Sequence, residues 1–351
     1  MSKYGQEQER LYLEKLRELL KELPEFCEWY FTGRANTLAA RTQYAYAGDI
    51  RTYLRYVAEL REVQLKDITL ETLENITALE LEAFLSSVRM YETPDGKIQE
   101  NTVQGIRRKF STLKAFYLYY YKKDLIEKNP TLKVEQPKLH KKNVIRLDNK
   151  ESEELLSCAF NGIKNTTAIG RSYNEKNGLR NYTIITLLLG TGMRISECVG
   201  IDIKDIDFKS NRIQVLRKGG NYSYVYFNDD VAQVLTEYLE ERIKIKGIVE
   251  TDQDALFLSS RKKRISVRNV EIMVKEHSSQ VTVKKITPHK LRSTYGTNLY
   301  ELSGDVLLTS KALNHASIET TSRFYIDSDD KLKDVTRYDT IKGKKNENQL
   351  N

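Results

Sequence analysis

Residues 182–197 read YTIITLLLGTGMRISE. Residues 182–189 are apolar on every face, which predicts a helix buried on all sides. Glycines at positions 190 and 192 then predict a turn that ends this helix. Arg194 follows that turn directly. The stretch therefore predicts a guanidinium presented at the end of a buried helix.

Downstream of this turn, the sequence changes to a strand pattern. Residues 212–217 (RIQVLR) and 222–227 (YSYVYF) alternate apolar and polar side chains around Lys218-Gly219-Gly220-Asn221. This pattern predicts a β-hairpin with Lys218 at its tip and glycines where positive φ is needed. A helix is expected near residues 149–160, a polar loop over 161–178, and another helix that starts at Thr287-Pro288 with Thr287 as N-cap.

Upstream, the periodicity is helical. Residues 5–23 and 37–60 place apolar side chains at steps of three and four, and Thr77 with Glu80 predicts a capping box for a helix through Val88. Residues 93–97 (TPDGK) predict a turn.

Between Pro130 and Arg146 the apolar periodicity lapses and basic residues accumulate, which indicates a linker. The fold class expected is mainly α with a small β-hairpin. The expected domains are an all-helical domain with several basic faces over 1–134, a basic linker over 135–147, a second domain over 148–330 and a C-terminal tail over 331–351.

Composition limits the kind of protein. The 351 residues include 57 Lys+Arg and 49 Asp+Glu, a net charge of +8, with 40% hydrophobic residues, as in a globular protein of about two domains. No run approaches about 18 apolar residues and the N-terminus has no apolar signal segment, so we expect a cytoplasmic protein without membrane insertion. Three widely spaced cysteines, Cys27, Cys158 and Cys198, predict neither a disulfide framework nor a zinc site, and we expect no metal and no cofactor. The basic excess favours a nucleic-acid partner.

Several side chains of the second domain suit metal-free phosphoryl transfer. Arginine forks match phosphate oxygens, a lysine can protonate a departing 5′-oxygen, and a tyrosine with an ordinary pKa near about 10 needs a base and cationic neighbours to become a nucleophile. Each motif taken alone also fits an ion pair, a helix cap or a solvated tip, and Tyr295, Tyr300 and Tyr338 are the alternative tyrosines. The candidate catalytic residues are Arg194, Lys218, His289, Arg292, His315 and Tyr325.

The order of these motifs resembles the tyrosine recombinase (phage integrase) family. TGMRISE, RKGG, HKLR and LNH follow one another, and Tyr325 comes ten residues after His315. The resemblance implies a two-domain clamp around DNA, with an all-helical core-binding domain and an α+β catalytic domain. It also implies strand cleavage through a 3′-phosphotyrosyl intermediate without metal or ATP.

The same resemblance implies the role of each residue. Arg194 and Arg292 would hold the scissile phosphate, Lys218 would act as general acid, and His289 would assist proton transfer. His315 would hydrogen-bond the phosphate, Tyr325 would be the nucleophile, and Glu197 would have a supporting role.

Four features depart from the commonest family pattern, among them Asn221-Tyr222-Ser223 in the hairpin, where basic residues usually follow the glycines. Ser293 follows Arg292 where many members have a histidine, and Asn314 stands where many have glycine. Asparagine tolerates a left-handed backbone, so we expect the turn to survive. The ten-residue step places Phe324, not a tyrosine, at the more frequent nine-residue step.

The opening KLRELLKELPEFCEWYF and the long loop before LRNYTII resemble the single-recombinase Xer proteins of streptococci and lactococci. That resemblance implies a nucleoid-associated homotetramer that resolves chromosome dimers at a dif-like inverted-repeat site in double-stranded DNA. It also implies activation by the FtsK DNA translocase and a tail, 331–351, exchanged between protomers.

The alternatives are an integrase or excisionase of a mobile element, a type IB topoisomerase, and a catalytically idle DNA-binding protein. A metal-dependent nuclease is disfavoured because no cluster of ligands with suitable spacing stands out.

Basic side chains outside these motifs are further candidates for DNA contact, since phosphate contacts provide much of the affinity for DNA. They are Arg41, Arg107, Arg108, Lys141, Lys142, Arg261, Lys262, Lys263 and Arg264.

Overall fold

The computed structural model describes residues 3–92, 98–138, 145–163, 168–217, 221–314, 338–339 and 344–345. The chain divides into two compact units, Met1–Lys142 and Asn143–Asn351. This division falls within residues 135–147, where the sequence predicts a linker. Both units are mostly helical, so the predicted fold class is confirmed.

The first unit is a helical assembly with one short pair of strands. The pair is antiparallel and was not predicted, because its three-residue strands are too short to show an alternating pattern. The turn predicted at 93–97 lies outside the described residues. The elements are α1 (Lys3–Leu20), α2 (Glu25–Arg34), α3 (Ala40–Arg61), α4 (Leu70–Glu74), α5 (Ala78–Ser87), β1 (Met90–Glu92), β2 (Ile98–Glu100) and α6 (Val103–Tyr121).

The capping box predicted at Thr77 is confirmed at the start of α5. The Glu80 backbone N–H donates to the Thr77 hydroxyl at 3.2 Å, and the Thr77 backbone N–H donates to the Glu80 carboxylate at 2.7 Å. Two backbone donors that a helix N-terminus leaves without partners are thereby satisfied.

Tyrosines form much of the core of the first unit. Tyr30, Tyr53, Tyr117 and Tyr120 are fully buried, and the Tyr53 and Tyr117 hydroxyls lie 2.6 Å apart. Burial raises the pKa of Tyr30 to about 12 and the pKa values of Tyr53, Tyr117 and Tyr120 above their usual range. These tyrosines are packing residues held in the protonated form.

A buried carboxylate joins α3 to α6. The Asp49 side chain is 3% exposed and accepts from Arg108 at 2.6 and 2.8 Å, from Lys109 at 3.3 Å and from the Thr112 hydroxyl at 3.1 Å. A charge in such a place is tolerated only when it is paired and hydrogen-bonded. Asp49 therefore fixes the register of the two helices.

The second unit has one long helix at its centre and a three-stranded antiparallel sheet whose strands lie in chain order. A further antiparallel pair of two-residue strands lies near the C-terminus. The elements are α7 (Asn149–Asn161), α8 (Ala168–Thr191), α9 (Ile195–Val199), β3 (Ile206–Asp207), β4 (Arg212–Leu216), β5 (Tyr222–Tyr226), α10 (Asp229–Arg242), α11 (Val267–Ser278), α12 (Pro288–Ser303), α13 (Val306–Leu313), β6 (Tyr338–Asp339) and β7 (Lys344–Lys345).

The apolar half of α8 is the centre of this unit, as the sequence predicts. Ile184, Ile185, Leu187 and Leu188 are fully buried, and the helix packs against α7, α10 and α12. None of the described helices, α8 included, is long and apolar enough to cross a membrane.

The loop predicted over 161–178 is wrong from Ala168 onward, because α8 starts there. Gly178 lies inside this helix, where it packs closely against α7. A Cβ at Gly178 would lie 2.8 Å from the Phe160 carbonyl oxygen, and the Phe160 and Tyr182 rings are 5.4 Å apart. Contact between helices thus outweighs the low helix propensity of glycine.

The predicted hairpin is confirmed in its strands. Ile213 pairs with Val225 on the buried face, and the tip, 218–220, lies outside the described residues. The helix predicted at Pro288 also begins there, but the Thr287 hydroxyl makes no capping bond among the described residues. The Lys290 N–H donates instead to the Thr287 carbonyl at 2.8 Å.

We expect Asp49→Asn to destabilise the first unit by about 2–3 kcal/mol, since it leaves Arg108 and Lys109 without their buried counter-charge. The measurement is urea unfolding followed by tryptophan fluorescence, which reports this unit because Trp29 is the only tryptophan in the chain.

The matched control is Glu22→Gln. Glu22 also pairs with two arginines, Arg51 and Arg55, but it is 47% exposed. We expect a change below about 1 kcal/mol for this variant. Equal effects of the two substitutions would contradict the structural role of Asp49.

Candidate active site

Arg194 lies in the turn between α8 and α9 and is the N-cap residue of α9. Gly192 makes the turn possible, because its φ of 62° is left-handed and a Cβ there would lie 2.3 Å from the Tyr295 ring. The Arg194 side chain is 38% exposed. The turn therefore presents a guanidinium at the end of the buried helix, as the sequence predicts.

Glu197 holds Arg194 in place. Its carboxylate, 3% exposed, accepts from the Arg194 side chain (Nη1 to Oε1, 2.9 Å) and from the Arg194 backbone N–H (2.8 Å). The two contacts restrict the side chain and the backbone of Arg194 together.

Arg292 ties three segments of the second unit to one another. It is 5% exposed, its Nη1 donates to the Gly192 carbonyl at 2.7 Å, and its Nη2 donates to the Leu313 carbonyl. Arg194 reaches the same region, since its Nη2 donates to the Asn314 carbonyl at 3.1 Å. The turn after α8, the first turns of α12 and the end of α13 thus meet at two arginines.

His289 completes the described part of this cluster. It follows Pro288 in the first turn of α12 and is accessible to solvent. Partial burial lowers the pKa of His289, and the positive charges of Arg292, Lys290 and Arg194 lower it further. The imidazole is therefore neutral near pH 7.

Three predicted catalytic residues, Lys218, His315 and Tyr325, lie outside the described residues. Of the alternative tyrosines, Tyr295 packs its ring against Gly192, and burial raises its pKa. Asn314 has the left-handed backbone expected of it, with φ 46°.

Sequence reasoning missed Arg217. Its side chain is buried, and Nη1 lies 2.9 Å from both Glu197 oxygens. The sequence pattern indicates that Arg217 faces inward. Ile213, Val215 and Arg217 follow the two-residue period of a strand and therefore share its inward face. An arginine in an inward position needs a buried partner.

The candidate DNA-contact residues of the first unit lie in two settings. Arg41 is exposed, with its guanidinium 5.8 Å from the centroid of the Tyr12 ring. Arg107 donates to the Pro137 carbonyl at 2.7 Å, and Arg108, although half-exposed, is bound to Asp49. Lys141 and Lys142 lie outside the described residues.

The basic run before α11 divides into exposed and buried side chains. Arg261, Lys262 and Lys263 are exposed on a tight turn. Arg264 departs from the prediction of a DNA contact, because its side chain is 8% exposed and its guanidinium binds Asp202 and the Val199 and Ile201 carbonyls. A run of like charges in sequence does not reveal which member faces inward.

In the described part of the chain, no group of three or more His, Cys, Asp or Glu side chains is arranged to hold a metal ion. The arrangement that is present, two arginines and a neutral imidazole, suits an anion with an exchangeable proton nearby.

Known proteins resemble this chain over most of its length. Residues 145–331 match the model of the phage integrase family. The chain is 32% identical to tyrosine recombinase XerC of Caldanaerobacter subterraneus over 89% of this chain and 85% of the relative. It is 30% identical to tyrosine recombinase XerS of Streptococcus agalactiae over 90% of this chain and 95% of the relative.

Solved structures with the same fold include a XerH recombinase bound to a palindromic difH substrate, with a TM-score of 0.65, 21% identity, and 92% of this chain and 88% of that one covered. The Tn1549 transposon integrase in complex with circular intermediate DNA gives a TM-score of 0.64 at 18% identity, over 89% of this chain and 99% of that one. Family match, sequence identity and fold agree, and the chain belongs to the phage integrase family, whose tyrosine recombinases are site-specific DNA recombinases.

Proposed function

We propose that this chain cuts and rejoins double-stranded DNA through a 3′-phosphotyrosyl intermediate on Tyr325. The observation that carries the proposal is the convergence of Arg194, Arg292 and His289 at one place, between the turn after α8 and the start of α12. Such a cluster offers positive charge and a neutral proton acceptor to one phosphodiester.

The two arginines bind the scissile phosphate. Their guanidinium groups match its non-bridging oxygens and stabilise the charge that builds up as the pentacoordinate state forms. Both are positioned in advance by protein groups, Arg194 by Glu197 and Arg292 by the Gly192 and Leu313 carbonyls, so little reorganisation is needed when DNA binds. His315 adds a hydrogen bond to the phosphate.

The chemical step exchanges one phosphodiester bond for another. The Tyr325 oxygen attacks phosphorus, a phosphotyrosyl bond forms, and the bond to the 5′-oxygen breaks. His289 assists removal of the tyrosine proton, and Lys218 gives a proton to the departing 5′-oxygen. A 5′-hydroxyl of a second strand then reverses these steps, so the bond energy is conserved without ATP.

The biological role we infer is resolution of chromosome dimers at a dif-like inverted-repeat site. The relatives named XerC and XerS, aligned over most of this chain, support it. A homotetramer on two duplexes, exchange of tail 331–351 between protomers, and activation by the FtsK translocase belong to the same proposal. The second candidate is integration or excision of a mobile element, which the fold of the Tn1549 integrase favours.

Covalent trapping tests the cleavage chemistry. Purified protein in EDTA is mixed with nicked duplexes, either tiled across the DNA flanking its gene or selected by the protein from a random pool, and adducts are resolved on denaturing gels. We expect an adduct with the wild type, a loss of at least about 10³-fold for Tyr325→Phe, which lacks the nucleophile, and a loss of about 10²–10³-fold for Arg292→Ala.

Tyr338→Phe is the control, since it removes another tyrosine close in sequence and should retain the adduct. An adduct that persists in Tyr325→Phe would overturn the assignment of the nucleophile. DNA binding without any adduct would favour an idle DNA-binding protein. A target within a mobile element, instead of a chromosomal inverted repeat, would favour the second candidate.

The pH dependence of cleavage tests the role of His289. Because the pKa of His289 is lowered, the neutral, proton-accepting form is favoured, and the midpoint of the acid-side fall in cleavage rate, where the ring becomes protonated, should lie below the ordinary histidine pKa of about 6.5. Rates measured with protein below saturation report the free enzyme. An NMR titration of His289 in DNA-free protein should give a midpoint below 6.5.

His289→Gln should cleave slowly and lose this acid-side decline. A midpoint at or above 6.5, or the same decline in His289→Gln, would contradict the role.

A further inference from the structure

Arg217 is not among the residues to which the proposed chemistry assigns a role. It follows the last residue of β4 and directly precedes Lys218 in the chain, and its backbone N–H donates to the Asn221 carbonyl at 2.8 Å. Its backbone therefore closes the base of the hairpin, while its 7% exposed side chain points into the unit.

The side chain of Arg217 ends on the carboxylate that holds Arg194. Nη1 of Arg217 lies 2.9 Å from both Glu197 oxygens, and Arg194 donates to the same two oxygens from its side chain and its backbone. The Nε of Arg217 is buried and has no partner among the described residues. The guanidinium is thus held away from water, and among the described residues Glu197 is the carboxylate with which it pairs.

Arg194, Glu197 and Arg217 form a trio whose net charge determines how much positive charge Arg194 presents to a phosphate. One buried carboxylate lies between two guanidinium groups, so the trio has a net charge of +1. Without Arg217 the pair Arg194–Glu197 would be neutral as a whole, and the carboxylate would attract Arg194 inward and repel a phosphate. These interactions are strong because Glu197 is nearly excluded from solvent.

We propose that Arg217 is a positioning residue for DNA cleavage: it balances the charge of Glu197 and so leaves the charge of Arg194 available to the scissile phosphate. The inference rests on the proposed function, since it assigns Arg194 to the phosphate. The Arg217 guanidinium is buried and is not presented at the surface. It acts through Glu197 on Arg194, and through the base of the hairpin that carries Lys218.

A purely structural ion pair would have a different signature. If Arg217 only stabilised the fold, folded Arg217→Met would cleave at the wild-type rate, and adding Glu197→Gln would change its stability and not its cleavage rate. If Arg217 balances the charge of Glu197, the loss caused by Arg217→Met should be recovered when Glu197→Gln is added, since no carboxylate then competes for Arg194. A double-mutant cycle separates the two cases.

The experiment measures single-turnover adduct formation at saturating protein, on a nicked duplex that the wild type cleaves. We expect Arg217→Met to slow cleavage about 10²-fold and the double variant Glu197→Gln, Arg217→Met to recover at least about tenfold of that loss. DNA affinity should change less than about threefold in both, because Arg217 is buried. Arg217→Lys, which retains the charge, should stay within about tenfold of the wild type.

Arg212→Met is the matched control. Arg212 lies on the same strand and is also paired with a carboxylate, Asp207, but at the surface, so cleavage should be unchanged. If Arg217→Met is not obtained folded, the double variant is compared with Glu197→Gln alone. Their rates of adduct formation should then differ by less than about threefold.

Cleavage by Arg217→Met at the wild-type rate, or a double variant no faster than Arg217→Met, would overturn the inference while leaving the proposed function in place. Absence of any adduct from the wild type would overturn the proposed function, and the inference with it.

Discussion

The buried carboxylate of Glu197 is the constraint on which the candidate active site depends. A carboxylate that is 3% exposed must be paired, and Glu197 is paired twice, with Arg194 and with Arg217. Arg194 then reaches the Asn314 carbonyl, at the point where α13 ends. One charge thereby links the turn after α8, the base of the hairpin and the end of α13, three segments far apart in sequence.

Several arginines of the second unit are buried and bind backbone carbonyls. Arg292 binds the Gly192 and Leu313 carbonyls, Arg264 binds the Val199 and Ile201 carbonyls, and Arg242 binds the Ala255 carbonyl at 2.8 Å through Nη2. A guanidinium has five donors in a fixed plane, so it can join two backbone segments that a lysine could not. The basic composition of the chain therefore overstates the charge that faces a DNA partner.

Local patterns predicted most of the elements but few of these contacts. The hairpin, the apolar half of α8, the capping box at Thr77 and the left-handed Asn314 could be predicted because each depends on neighbouring residues. The early start of α8 could not be predicted, because the close packing of Gly178 against α7 is a contact between helices that local patterns do not show. Nor could the partner of Arg217, since periodicity shows that a side chain points inward but not which carboxylate it meets. The roles of Lys218, His315 and Tyr325 stay predictions.

In the proposed function, Arg194, held by Glu197, neutralises the charge of the scissile phosphate. The most direct measurement compares Arg194→Ala with the wild type on two nicked duplexes, one with an ordinary scissile phosphate and one with an uncharged methylphosphonate at that position. We expect a loss of about 10²–10³-fold on the phosphate and of less than about tenfold on the methylphosphonate, which has no charge to neutralise. Equal losses on both duplexes would overturn this role of Arg194.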